Sequence, residues 1–312
     1  MSKIDRRLML SPAASVAGTP NSNSKNKKDK VKSSKGSLTV YRVIVYIVMT
    51  VLTIVCLFPF YVLLVNCSYA SNDIMKGFHW WFGNSFGSNW NTLFTDTNIP
   101  LTRAFLNSLI ISLSAATLTV YFSALTAYGT HVYNFKGKKF ISTFIIAIMM
   151  IPTQVSSMGL VMMCIKLGLT NQIWVLIIPA IASPVTYFYM KQYLESVLPY
   201  EIIEASRVDG ASEIRIFHQI VLPILKPALS VQFIFSYVAN WNNFFMPSML
   251  LTDRDAKTIP VVLSLLTGSS PATFDKGEIY MLLTVAVFPV LIVYLIFSKG
   301  LIKNLTAGSV KG

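Results

Sequence analysis

Six apolar stretches run through the chain without an Asp, Glu, Lys, Arg or His: 43–65, 106–128, 140–165, 174–190, 228–251 and 279–297. Each is close to the ~20 residues a helix needs to cross a hydrocarbon core, so the pattern predicts an all-α protein with six membrane-spanning helices. Between the fourth and fifth stretches, about 191–227, lies the longest internal segment on the side that also holds 129–139. Its pattern is too regular for a linker. Pro199 opens a helix that runs to Asp209, and Gly210 supplies the left-handed residue that ends it. Ser212 then caps a second short helix, whose apolar positions Ile214, Phe217, Ile220 and Val221 recur at helical spacing. Pro223 and Pro227 punctuate the return to the membrane.

Composition agrees with the bilayer as solvent. Of 312 residues, 54% are hydrophobic and 12% charged, about half the charged share of a soluble domain, and the mean hydropathy is +0.58. Charge also sets the expected orientation. Twenty of the 26 Lys and Arg fall in alternate inter-span segments that include both termini, which places the N and C termini in the cytoplasm. The net charge of +13 is then topogenic, lying beside anionic lipid, and is no sign of nucleic acid. Residues 1–36, with the run NSNSKNKKDKVKSSKG, read as a disordered basic cytoplasmic tail before a permanent anchor, and 37–312 as the membrane domain.

Several chemistries lose their footing. Ion-driven carriers place ionisable groups at mid-membrane depth, and the six stretches hold none. His79, His131 and His218 lie in three separate segments, so no catalytic or metal site is expected. Cys56, Cys67 and Cys164 have no ligand spacing and read as packing residues. The phosphate loop G-x-x-x-x-G-K-[ST] does not occur. The chain is therefore expected to be non-catalytic and to bind no cofactor, with any energy input entering through another subunit.

The 191–227 segment carries five of the thirteen acids (Glu195, Glu201, Glu204, Asp209 and Glu213) around an apolar stripe. That pattern fits a surface docked into a soluble partner, or an amphipathic hairpin lying on lipid headgroups. From Glu204 the chain reads EASRVDGASEIRIFHQIVLPILKP. This resembles the EAA loop of ATP-binding-cassette importer permeases at Glu204, Ala205, Gly210, Ile220, Leu222 and Pro223, with Ser206 in place of the second Ala. RAFLNS (103–108), AYGTHVYNFKGKK (127–139), WNNFFMP (241–247), TIP (258–260) and the C-terminal GLIKNLTAGSVKG (300–312) are similar to the second, maltose-type permease of the carbohydrate branch.

The resemblance implies a type I importer permease fold in a multi-pass protein of the bacterial plasma membrane. It implies a heterodimer with a second permease, two ATPase subunits that hold the ATP and Mg, and an extracytoplasmic sugar-binding protein. It further implies ATPase coupling through Glu204, Ala205, Ser206, Asp209, Gly210, Phe217 and Pro223, with the segment from Thr306 reaching the ATPase interface. The cargo would be a sugar, probed by side-chain amides and an indole: Gln232, Asn240, Trp241, Asn242 and Asn243 in the fifth stretch and Gln154 in the third. Amides suit neutral hydroxyls and an indole suits a pyranose face, although the same groups also serve as interhelical glue. Trp80 and Trp81 read as an interfacial aromatic belt. The alternatives are a permease for another small solute, and a membrane scaffold or receptor subunit that holds a soluble partner.

Overall fold

The computed structural model describes residues 25–95, 100–268 and 275–309, with side chains over 40–95, 100–268 and 275–298. Contacts divide the chain into two units, Met1–Phe60 and Tyr61–Gly312. Helix α1 (Lys25–Asn66) begins in the first, and its last residues are counted with the second. From Val40 to Phe60 its side chains are exposed. The tail expected over 1–36 is thus helical from Lys25 onward, and residues 1–24 lie outside the described residues. Once an apolar span has paid for nucleation, extension into a lysine-rich segment costs little.

In the second unit two short helices, α2 (Ser71–Ile74) and α3 (Phe86–Thr95), precede the long α4 (Leu101–Val132). Next come α5 (Lys138–Ile148), α6 (Thr153–Lys166), α7 (Trp174–Ile177), a 3-10 turn (Ile178–Ile181) and α8 (Pro184–Val197). The predicted loop holds α9 (Tyr200–Val208) and α10 (Glu213–Ile216). A π turn (Phe217–Val221) leads into α11 (Leu222–Trp241), followed by α12 (Phe245–Leu250), α13 (Ile259–Gly268) and α14 (Lys276–Ser309). Among the described residues there is no strand.

Among the described residues five helices are long and apolar enough to span a membrane, and the third predicted span is a broken pair. α5 and α6 meet at 95° because Pro152 lacks an N–H and its ring drives the preceding residue out of helical geometry. The halves are 11 and 14 residues long, about 16 and 21 Å, so neither alone covers ~30 Å of hydrocarbon. A second break, at Pro184, is repaired from outside its own helix. Pro184 has no N–H for the Ala180 carbonyl four residues earlier, and Thr119 Oγ1 of α4 donates to that oxygen at 2.7 Å.

α4 is the centre of the bundle, packed against α8, α11 and the 3-10 turn. Its buried positions are mostly small (Ala104, Ser108, Ser112, Ala115, Ala116, Thr119, Ser123, Ala124, Ala127), whereas Leu106, Ile110, Leu113 and Leu125 are exposed. That inversion is expected in lipid, where apolar bulk gains nothing by turning inward and small residues let backbones approach.

At the start of α4, the segments that charge assigned to one side are stitched together. Asn107 Nδ2 donates to the carbonyls of Asp255 (2.8 Å) and Lys257 (3.0 Å), and the Ile259 amide donates to Ser108 Oγ (2.9 Å). Asn89 Nδ2 donates to the carbonyls of Cys67 and Tyr69, both at 2.9 Å, and the Lys276 amide donates to Ser71 Oγ at 3.0 Å. The segment 198–216 gathers at the other end of α4, which at 32 residues is ~48 Å long.

Gly277 tests this stitching. A Cβ there would meet the Tyr69 carbonyl and Asn89 Nδ2, each at 2.7 Å, and overpacking of that kind costs about 1–3 kcal/mol. Gly277→Ala is expected to lower the thermal unfolding midpoint of the detergent-purified protein, and Gly129→Ala, where nothing lies within 4 Å, to leave it unchanged or raise it. Equal midpoints for the two variants would show that this junction is not tightly packed.

Candidate functional site

The loop between α8 and α11 is a rigid corner. Pro199 stands at the N-cap of α9 with extended backbone, as its fixed φ favours. Gly210 closes the helix at φ +78°. Its amide donates to the Arg207 carbonyl and the Ala211 amide to the Ser206 carbonyl, both at 3.0 Å. These two bonds form a Schellman closure, which requires a residue tolerant of positive φ at that point. Ser212 Oγ then accepts from the Arg215 amide at 3.4 Å and starts α10.

An ion-pair and phenol network fastens the corner to the end of α4. Glu213 Oε1 accepts from Arg207 Nε at 2.7 Å, and Oε2 accepts from the hydroxyls of Tyr133 at 2.6 Å and Tyr128 at 3.0 Å. Arg207 also donates to the Tyr200 hydroxyl at 3.4 Å and lies over the Tyr133 ring. The hydrogen bond to Glu213, with Tyr200 in support, raises the Arg207 pKa further. Burial, followed by the bond to Glu213, pushes the Tyr133 phenol up. Arg207 therefore stays charged and Tyr133 neutral at physiological pH. Beneath the corner, His218 Nδ1 lies 2.8 Å from the Ile214 carbonyl and Nε2 lies 3.2 Å from the Tyr121 hydroxyl. With Nδ1–H donating, Nε2 accepts from Tyr121.

The network fixes which face of α9 looks outward. Glu204, Ala205, Asp209 and Gly210 are exposed, beside Ile202 and Val208, the latter 87% exposed. Ile203 and Ser206 turn into the bundle, where Ser206 Oγ donates to the Ile202 carbonyl at 2.6 Å. Of the seven residues expected to couple, Ser206 and Phe217 are buried and lie behind the exposed face. Phe217 packs against Tyr121 and Tyr128. The predicted docking stripe divides as well. Phe217 and Val221 belong to the core, whereas Ile214 is 75% exposed. Pro223 is exposed, in the first turn of α11. Separate punctuation at Pro223 is not seen, because the π turn before it absorbs the missing N–H and the helix continues. The described backbone is helical from Thr306 to Ser309, and its side chains lie outside the described residues.

The path candidates do not form one surface. Trp241 is buried, its Nε1 donating to the Ala286 carbonyl of α14 at 3.2 Å, its ring edge-on to Phe105 and stacked near Tyr237. Its indole packs between α11 and α14. Gln232 is buried as well. Asn240 is half-buried and donates to the Ser236 carbonyl of its own helix at 2.8 Å. Asn243 is half-buried, and Asn242 and Gln154 are exposed. Sequence reasoning missed Arg207, Tyr128 and Tyr133 as a unit. The available signal was an Arg and a Glu six residues apart across a glycine corner.

Comparison with known proteins brings the fold and the corner together. The family described as "Binding-protein-dependent transport system inner membrane component" matches residues 119–306, a span that includes the corner. The arabinooligosaccharides transport system permease protein AraQ of Bacillus subtilis is 33% identical, the match covering 82% of this chain and 91% of AraQ. The trehalose/maltose transport system permease protein MalG of Thermococcus litoralis is 31% identical over 83% of this chain and 93% of MalG. In a crystal structure of a bacterial ABC transporter that imports the acidic polysaccharide alginate, one chain superimposes with a TM-score of 0.73 at 17% identity, covering 84% of this chain and 97% of that one. That likeness carries the fold.

The Glu213 network yields a measurable expectation. Glu213→Gln removes the charge that holds Arg207, and bonds to charged groups contribute about 1.5–3 kcal/mol. Amide hydrogen exchange across 200–212 should accelerate by roughly tenfold or more, the equivalent of ~1.4 kcal/mol, while exchange in the middle of α4 stays slow. Unchanged protection in α9 would mean that the corner is held by Ile203 and Ser206 packing alone.

Proposed function

Because this chain belongs to the family of binding-protein-dependent transport system inner membrane components, we propose that it is one permease of an ABC importer for sugars and forms half of the translocation path. The observation that carries the coupling role is the exposed face Glu204, Ala205, Val208, Asp209 and Gly210, held on a corner that Glu213 ties to α4. A rigid projection can transmit a push; a mobile one would dissipate it. The face docks in a groove of a separate ATPase subunit, which holds the ATP and Mg, and Ile202, Val208 and Ile214 supply its apolar contacts. A second permease completes the path, and an extracytoplasmic binding protein delivers cargo. Relatives named for arabinooligosaccharides, lactose and trehalose/maltose support a sugar as that cargo.

In this reading ATPase movement tilts α9, and the Glu213 network carries the tilt into α4 and, through Phe217 and the π turn, into α11. The cargo meets exposed or half-exposed amides, with Asn242 and Gln154 the leading candidates. Both termini are cytoplasmic, and the 66–95 and 251–259 segments face outward.

Four measurements test the proposal. In the purified complex, ATPase activity should rise on addition of the sugar-loaded binding protein. Gly210→Val, which forces a β-branched residue to φ +78° at a cost of about 1–3 kcal/mol, should cut sugar uptake roughly tenfold at normal abundance; Glu204→Lys should weaken ATPase binding. Partner binding with no stimulated turnover would instead indicate a scaffold. For orientation, in a background without Cys56, Cys67 and Cys164, Ser88→Cys should react with an impermeant thiol reagent on intact cells and Val208→Cys only after permeabilisation. The reverse labelling would put the corner on the wrong side for an ATPase.

A further inference from the structure

Away from the corner, α5, the turn before it and Lys191 of α8 line an open cleft of about 540 Å³. Lys138, Lys139, Lys191, Ser142, Phe135 and Ile146 are among its lining residues. Three cations converge on it. Lys138 Nζ donates to the His131 carbonyl at 3.1 Å, and Lys191 has Glu195 at 3.9 Å, the carboxylate paired with this group. Ser142 is buried and its Oγ accepts from the Tyr187 hydroxyl at 3.2 Å, which leaves its own O–H to donate. Gly137 starts α5 in the left-handed conformation with no side-chain cap, so the positive end of the helix adds to the lysines.

The lining also changes character along α5. Ile146 lies eight residues beyond Lys138, about 12 Å up the helix. Next to the cleft the outward face of α5 is apolar, with Phe140 72% and Phe144 55% exposed and their rings stacked at 6.0 Å. Lysines at one end and an apolar run leading away from them match an anionic amphiphile, and basic pockets between spanning helices hold acidic headgroups elsewhere. A free phosphate would use the lysines and leave the apolar end without a role.

We propose that this cleft binds an anionic glycerophospholipid, its phosphate held by Lys138, Lys139 and Lys191 and an acyl chain running along α5 toward Ile146. The bound lipid fixes the near half of the broken third span beside the loop that leads from α4.

The test uses the complete transporter in vesicles of phosphatidylethanolamine and phosphatidylglycerol, extracted in mild detergent, with co-purifying lipid measured by mass spectrometry. Wild type should retain phosphatidylglycerol above its bulk share, and excess inorganic phosphate during extraction should not displace it. The triple variant Lys138→Gln, Lys139→Gln, Lys191→Gln should lose the enrichment, by about fivefold for each lysine removed, the fold-change equivalent to ~1 kcal/mol per basic residue. Lys226→Gln, outside the cleft, should keep it. If the triple variant fails to assemble, Lys139→Glu, at an exposed position, provides the reading alone. Enrichment that survives the cleft substitutions, or that phosphate abolishes, overturns the proposal.

Discussion

The close approach of α4 to α8 and α11 over small side chains is the constraint on which the rest of the bundle depends. In water a helix buries its bulky apolar residues; in lipid those residues are already solvated, and association rests on packing and polar contacts. Ala115, Ala116, Ala124 and Ala127 are fully shielded while Leu106 and Ile110 on the same helix are exposed. A large residue at any of these alanines would overpack α4 against its neighbours. The same close approach lets Thr119 reach the Ala180 carbonyl that it caps.

The loop at the end of α4 inherits its geometry from that packing. Tyr128 is buried in the last turns of α4, and Tyr133 follows the helix end. Their two hydroxyls and the Arg207 guanidinium converge on one carboxylate, Glu213. A carboxylate with three donors has its charge satisfied without a large polar cavity. The orientation of the Glu204 face is therefore decided by a helix some seventy residues earlier in the chain, and movement of one moves the other. Irregular backbone at Pro152, at Pro184 and in the π turn sits where neighbouring groups or a bend can accommodate freed carbonyls, the condition for non-helical backbone within a membrane protein.

Much of this was legible in the sequence, because the bilayer imposes a length and a polarity on each span that no neighbour can override. Six uncharged stretches, Pro199, Gly210 and Ser212 gave the helical class, the apolar segments of membrane length and the helix–corner–helix of the loop, and the EASRVDG run gave the family. These are local properties, set by backbone conformation and transfer from water. What the tertiary structure alone decided was which side of each helix is used. Hydrophobicity could not say that Ser206 and Phe217 point inward while Val208 and Ile214 point out, since all four suit either environment until α4 and α8 take one face. Nor could it separate Trp241, consumed by a bond to Ala286, from Asn242 one residue later, or join Tyr128, Tyr133 and Arg207 on Glu213. Those assignments come from contacts between residues far apart in the chain, and a polar group's role is fixed by the partner it meets there.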